Sequence, residues 1–298
     1  MSRTIAILGG SGLYALDGPS FVRELSVTTP FGAPSDVIVE AELSGTRVLF
    51  LARHGRGHRL AAHEVNYRAN VFALKQLGAT HLLSASAVGS LQQHIRPGDV
   101  VVVNQYIDQT RQRAASFFEG RGIVVHVSLA DPVDADLHRG VCHAAERAGA
   151  RVHAAGTYVC IEGPQFSTRA ESRLFKAFGA DVIGMTNMPE ARLAREAELA
   201  YASLCLVTDY DAWRHSEAPV QVSAVLDQVR ANAELASRTL IELIERAGSL
   251  AGDGPASKAL DMALLTAPAH ITPEARKELA PLLERVLAAR GGAPTRDA

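Results

Sequence analysis

Short apolar runs alternate along this chain with longer stretches in which apolar positions recur every three or four residues. The short runs, Ile5 to Leu8, Val48 to Ala52, His81 to Ala85, Val182-Ile183 and Leu204 to Val207, predict strands. The longer stretches predict helices over His63 to Leu77, Asp134 to Ala148, Thr168 to Phe178, Pro189 to Leu199 and Val222 to Ala247. Local signals agree with these limits. Gly78 and Gly149 stand where helices stop, Thr168 and Glu171 have capping-box spacing, and Pro189-Glu190 suits a first turn. The alternation predicts one α/β domain, residues 1–248, with a mostly parallel or mixed β-sheet covered by helices. A Gly/Pro/Ser-rich break then separates a tail, residues 249–298, expected to be helical around Ala259 to Leu265 and Pro273 to Ala289. The last eight residues read as disordered.

Each apolar run ends in small polar, cationic or acidic residues, and in open α/β proteins ligands bind at such strand ends. The Gly9-Gly10-Ser11-Gly12 turn can aim backbone N–H groups and a hydroxyl at an anion. It has neither dinucleotide, P-loop nor serine-hydrolase spacing, and a plain tight turn remains open. Arg53-His54 offers forked guanidinium donors beside an imidazole, matched to phosphate oxygens, with a solvated basic loop as the alternative. His54, His58 and His63 do not have metal-ligand spacing, because glycines at 55 and 57 disfavour a helical pair and no acid or thiolate joins them. Asp209 and Asp211 end a run that is apolar on both faces, which points them toward a pocket where burial would raise their pKa values. They could instead cap the next element or pair with a base.

Composition narrows the function classes. The chain has 298 residues, 47% of them hydrophobic, and a formal net charge of -2, which argues against nucleic acid as a partner. Three scattered cysteines, Cys142, Cys160 and Cys205, suit a reducing compartment better than a disulfide framework. No apolar run approaches the ~20 residues of a membrane span, and no signal-like stretch opens the chain, so the cytoplasm is expected.

The segments GGSGLY (9–14), PFGAPSD (30–36), LARHGRGH (51–58), HEVNYRAN (63–70), IEGPQFSTRAES (161–172), GMTNMPEARLARE (184–196) and TDYDAW (208–213) carry a resemblance over almost the whole chain. They are joined by GSL with RPGD (89–99), and together resemble the trimeric purine nucleoside phosphorylase family, in its 5′-methylthioadenosine phosphorylase branch. ALDMALLTAP (259–268) is similar to the tail of bacterial members. The resemblance implies that Ser11, Arg53, His54, Ser86 and Thr186 bind phosphate, and that Phe166 and Met185 flank base and ribose. Asp209 and Asp211 would address the purine N7 and 6-amino group as the catalytic acids, with Ala87 and Thr208 completing the substrate site. His126 and the tail would close the 5′ end from a neighbouring subunit, beside an apolar stripe that includes Val222 and Val225. Without the resemblance that stripe is ordinary helix core. A central mixed β-sheet or distorted barrel flanked by helices is implied, as is a homotrimer or dimer of trimers, and no metal or organic cofactor. Ser11 and Ser86 replace threonines common in relatives, Val88 stands where a cysteine is frequent, and Asn187 follows Thr186; the hydroxyls at the phosphate positions are kept.

Asp209 also bears on the substrate. The 6-oxopurine branches of the family carry asparagine here, whose amide can donate toward O6, whereas a carboxylate would oppose two acceptors. The expected reaction is phosphorolysis of 5′-methylthioadenosine. Adenosine, inosine or methylthioinosine are alternative substrates, and a non-catalytic nucleoside-binding protein is the alternative from another class.

Overall fold

The computed structural model describes residues 3–10, 21–214, 222–250 and 254–291. Its sheet begins with β1 (Thr4–Gly9), β2 (Phe21–Leu25), β3 (Ile38–Leu43), β4 (Thr46–Ala52), β5 (His81–Ser90) and β6 (Val100–Val102). It continues with β7 (Gln105–Gln109), β8 (Val152–His153), β9 (Thr157–Ile161), β10 (Val182–Gly184) and β11 (Ala200–Asp209). All five apolar runs are strands. β2, β3 and β4 pair antiparallel, whereas β4, β1, β5 and β11 run parallel, so the sheet is mixed as expected. Among the described residues β2 and β7 are not paired with each other, and the sheet stays open.

β5 is the strand on which the site is built. One edge pairs with β1 as far as Ser84 and with antiparallel β10 only from Gly89. Residues 85–88 therefore have no strand partner on that edge, and a gap opens in the middle of the sheet. The other edge follows β11 from His81 to Gly89, with a register shift between Val207 and Asp209 that re-aims the end of β11.

The helices are α1 (Tyr67–Gln76), α2 (Ala135–Arg147), α3 (Arg169–Ala177), α4 (Asn187–Glu196), α5 (Val222–Glu245), α6 (Pro273–Glu278) and α7 (Ala280–Gly291). α1 starts later than the periodicity predicts, because Asn66 caps it by accepting from the Ala69 N–H, and residues 62–64 form a separate 3-10 turn. The capping box of Thr168 and Glu171 opens α3 as expected. The predicted helix around 259–265 does not form. Its backbone pairs instead with the segment before it in space, Leu265 N–H to Val124 O at 2.9 Å and His126 N–H to Ala263 O at 2.9 Å. Those bonds, with the Val125 and Leu264 bridge, outweigh a weak local helix preference.

One core unites Phe72, Leu74, Phe117, Tyr158 and Tyr201 with Leu283 and Val286 of α7, and a second unites Ile5, Ile7 and Leu204 with Val141 of α2 and Leu240 and Ile244 of α5. The tail thus shares the main core.

Candidate active site

Arg53 follows β4 directly, and its N–H donates to Gly9 O at 3.0 Å, which ties together the ends of β1 and β4. Its side chain is only 1% exposed. Nε donates to Glu190 Oε2 at 2.9 Å, Nη2 to Leu8 O at 2.9 Å and Ser84 Oγ at 2.7 Å, and Nη1 to Ala85 O at 3.1 Å. The fork that the sequence reading reserved for an anion is therefore occupied by Glu190 and by strand-end groups. One Nη1 hydrogen remains without a partner among the described residues.

His54 is held by Nδ1 against Leu60 O at 2.9 Å and stacks on His58 at 4.3 Å between ring centroids. Burial first, then the neighbouring Arg53 charge, pushes its pKa down to about 4, so the ring is neutral near pH 7 with Nε2 left as an acceptor. Ser86 and Thr186 are both buried at 7% exposure, while Ala87 between β1 and β10 is exposed, as the gap requires. Thr186 Oγ1 lies 3.3 Å from Asn187 Oδ1, and its N–H donates to the Tyr158 hydroxyl at 3.3 Å. Gly184 permits this arrangement: a Cβ there would stand 2.0 Å from that hydroxyl.

At the end of β11, Thr208 Oγ1 lies 2.7 Å from Asp209 Oδ2 and 3.2 Å from Val88 O. The Asp211 N–H donates to Asp209 Oδ1 at 2.7 Å. Burial raises the pKa of both acids, and for Asp211 the Asp209 charge adds to it. Asp211 is 9% exposed, sits at φ 48° in the left-handed region, and among the described residues its Oδ2 accepts no close hydrogen bond, the buried Ser172 hydroxyl being its polar neighbour. A buried oxygen of that kind in a cleft is a place for a ligand donor. Asp209 lies against Gly89, where a Cβ would come 3.0 Å from Oδ1.

Arg53, Ser86 and Ala87 thus lie along the gap, Thr186 is joined to that strand through Asn187 Oδ1, which also accepts from Ser84, and Thr208, Asp209 and Asp211 meet β5 at Val88 and Gly89, where the gap ends against Ile183. Met185 is half-buried beside Gly163, and Phe166, 46% exposed, follows on the same loop. Among the described residues no hydrogen bond, ion pair or ring contact joins His126 to the gap, and the side chain is exposed. Ser11 and the side chains of Val222 and Val225 lie outside the described residues. No group of three or more His, Cys, Asp or Glu among the described residues is placed to hold a metal ion.

A family model described as Phosphorylase superfamily matches residues 4–246. The chain belongs to the phosphorylase superfamily. Within this phosphorylase family it is 48% identical over 282 residues to an S-methyl-5'-thioadenosine phosphorylase of Geobacter sulfurreducens, covering 94% of this chain and 97% of the relative. To the protein of that name from Gloeobacter violaceus it is 46% identical, over 96% of this chain and 97% of the relative. Among solved structures, a methylthioadenosine phosphorylase from an antarctic soil metagenomic library superposes with a TM-score of 0.90 at 46% identity, over 95% of this chain and 99% of that one. An adenosine/methylthioadenosine phosphorylase from Schistosoma mansoni gives 0.79 at 40% identity, over 84% and 93%. The family resemblance in the sequence motifs holds.

This phosphorylase also uses residues that sequence reasoning passed over. Arg113, on the loop after β7, donates from Nη1 to Met185 O and Met188 O at 2.7 Å each and to the Tyr67 hydroxyl at 3.0 Å. Its Nη2 reaches Glu162 O at 2.7 Å and its Nε Glu162 Oε1 at 2.9 Å. One side chain thereby fastens the Met185 loop to the loop that carries Phe166. It lies between the quoted motifs, with Arg111 two positions before it, and no local signal marks it.

Proposed function

We propose that the chain cleaves the N-glycosidic bond of 5′-methylthioadenosine with inorganic phosphate, giving adenine and 5-methylthioribose 1-phosphate. The observation that carries this reading is the pair of acids at the end of β11, Asp209 half-buried and Asp211 buried, both packed against Gly89 of the strand that carries Ser86. Phosphate enters beside Ser86, Thr186, His54 and the remaining Arg53 N–H. Its oxygen attacks the anomeric carbon as the bond to N9 breaks and positive charge develops on the ribosyl ring, which the anion stabilises at close range. The electron pair leaves with the purine. Asp209, whose pKa burial raises, is the donor we assign to N7; its proton goes there as the bond to N9 breaks, so adenine departs neutral. Asp211 Oδ2 accepts from the 6-amino group, which supplies the close donor it lacks among the described residues. Neutral His54 can accept the hydrogen of a hydrogen-phosphate dianion at Nε2.

The test is adenine release from methylthioadenosine with and without phosphate, with inosine as the control substrate. Phosphate-dependent release from the thionucleoside supports the reading; release from inosine alone overturns the base assignment, and binding without release supports a non-catalytic protein. Adenosine is a second reading, favoured by the likeness to the Schistosoma mansoni adenosine/methylthioadenosine phosphorylase. A methylthio group against a hydroxyl is worth only ~1 to 3 kcal/mol in such a pocket, so both substrates turning over is compatible with one site.

For assembly, we infer a homotrimer. Exposed Leu174 of α3 and Phe178, its C-cap, share one helix face, and exposed Val124, Met262 and Leu265 form another apolar surface where the tail pairs with residues 123–126. Two different surfaces of this kind suit a head-to-tail ring, in which His126 reaches a neighbour's 5′ end. Phe178→Glu is expected to leave a monomer by light scattering, and an unchanged mass would contradict this contact. No helix among the described residues is long and apolar enough to cross a membrane, in keeping with the cytoplasmic site we assign. Residues 1–248 are read as the phosphorylase domain and 249–298 as its extension.

A further inference from the structure

Beneath the gap, buried side chains form a closed ring of hydrogen bonds in which only Arg53 takes part in the reaction. Arg53 donates to Glu190 from Nε at 2.9 Å and from Nη2 at 3.3 Å, and from Nη2 to Ser84 Oγ at 2.7 Å. Ser84 donates to Asn187 Oδ1 at 3.3 Å, and Asn187 Nδ2 donates to Ser203 Oγ at 2.6 Å. Ser203 donates to the Tyr201 hydroxyl at 3.2 Å, and Tyr201 closes the ring on Glu190 Oε1 at 3.0 Å. Two donor paths therefore leave Arg53, and both end at one carboxylate. Glu190, Ser84, Asn187 and Ser203 are 0% exposed.

Such a carboxylate is retained away from water only when paired, and its partner here is the cation beside the phosphate end. Arg53 meets its counter-charge before any anion arrives. His54 is neutral, so the described residues around phosphate carry little net positive charge. That matters for turnover, because one product is itself a phosphate ester. Uniformly tight anion binding would hold the product as firmly as the substrate and would not raise the chemical rate.

We propose that Glu190 is the positioning residue that sets phosphate affinity, holding Arg53 in place while cancelling its charge so that the anion binds weakly enough to leave as sugar phosphate. The inference rests on the reading of Arg53 and Thr186 as the phosphate end. Removing the charge but keeping the shape should then tighten phosphate binding, the opposite of what losing a structural strut would do. Glu190→Gln does this, since its oxygen can still accept from Arg53 while its amide donates to Tyr201.

Initial rates are measured with phosphate varied at saturating methylthioadenosine, and with the nucleoside varied at saturating phosphate. The expected result for Glu190→Gln is a fall in phosphate KM of at least about tenfold, since one uncompensated charge within about 10 Å at an effective dielectric of about 20 is worth more than that, with nucleoside KM within about twofold. A folded variant whose phosphate KM is unchanged or raised overturns the proposal. Should the single variant not accumulate, Arg53→Met with Glu190→Met removes both charges together. Its phosphate KM is expected within about tenfold of wild type, and a rise of about a hundredfold or more would show that the Arg53 charge holds phosphate, against the proposal. Wild-type rates that do not depend on phosphate would instead bring down the functional reading, and this inference with it.

Discussion

The two ends of the gap differ in how their polar groups are spent. At the phosphate end, Arg53 is bonded to Glu190, Ser84, Ala85 and Leu8, and Thr186 lies against Asn187, so little remains to be organised when the anion arrives. At the base end, among the described residues, Asp211 keeps a buried oxygen without a close hydrogen bond and Asp209 is fastened through neighbours on its own strand end. The first end is finished before binding, whereas the second is completed by its ligand. This division suits the chemistry, since a small symmetric anion needs a fixed cradle while the purine must be told apart by donors and acceptors.

Breaking the base end should have the largest effect. Asp209→Asn is expected to lower kcat for methylthioadenosine by on the order of a hundredfold, the scale of losing a positioned acid, with a smaller loss on inosine. Steady-state rates on both nucleosides check this, and wild-type turnover of methylthioadenosine would sink the role of Asp209. Gly89→Ala is gentler. Its Cβ would meet Asp209 Oδ1 at 3.0 Å and Ile183 at 3.1 Å, so the acid must yield by tenths of an ångström. A loss in kcat of about tenfold is expected, with phosphate KM unaltered. Equal changes in both KM values would mean that the two ends are not separable.

The smallest effect probes what lies outside both ends. Glu196, at the end of α4, accepts from the Phe117 N–H at 2.8 Å, and burial raises its pKa to about 7. A carboxyl group with a raised folded pKa binds its proton more tightly in the folded state, so stability falls as pH rises from about 4.5 to about 7 and is level above that. Glu196→Gln removes the slope. Its Tm should exceed that of wild type by a few degrees at pH 8 and match it at pH 4.5, and scanning calorimetry at both values decides; a lower Tm for the variant at pH 8 would contradict the assignment.

Much of this was legible in the chain. The five strand ends were, because runs apolar on both faces announce central strands and the residues after them have nowhere else to go. Arg53, Ser86, Thr186, Asp209 and Asp211 stand at those ends, and the family resemblance supplied the roles proposed for them. The ring beneath them was not. Ser84 read as one more strand position, and Glu190 as an acid suited to the first turn of α4, where it does lie. Nothing local shows that the same carboxylate also meets Arg53, 137 residues earlier in the chain. The tail failed for a related reason, since ALDMALL has helical composition but its backbone bonds go to Val124 and His126. What sequence patterns carry well is period and punctuation, and long-range polar pairing has neither.

The account turns on Asp209 being a proton donor, and kcat against pH, for wild type beside Asp209→Asn at saturating phosphate and methylthioadenosine, tests it most directly. The predicted result is an alkaline fall in wild-type kcat that is missing from the much slower variant, since an amide has no proton to lose. The same alkaline limb in both proteins would place the titrating group elsewhere and contradict the assignment.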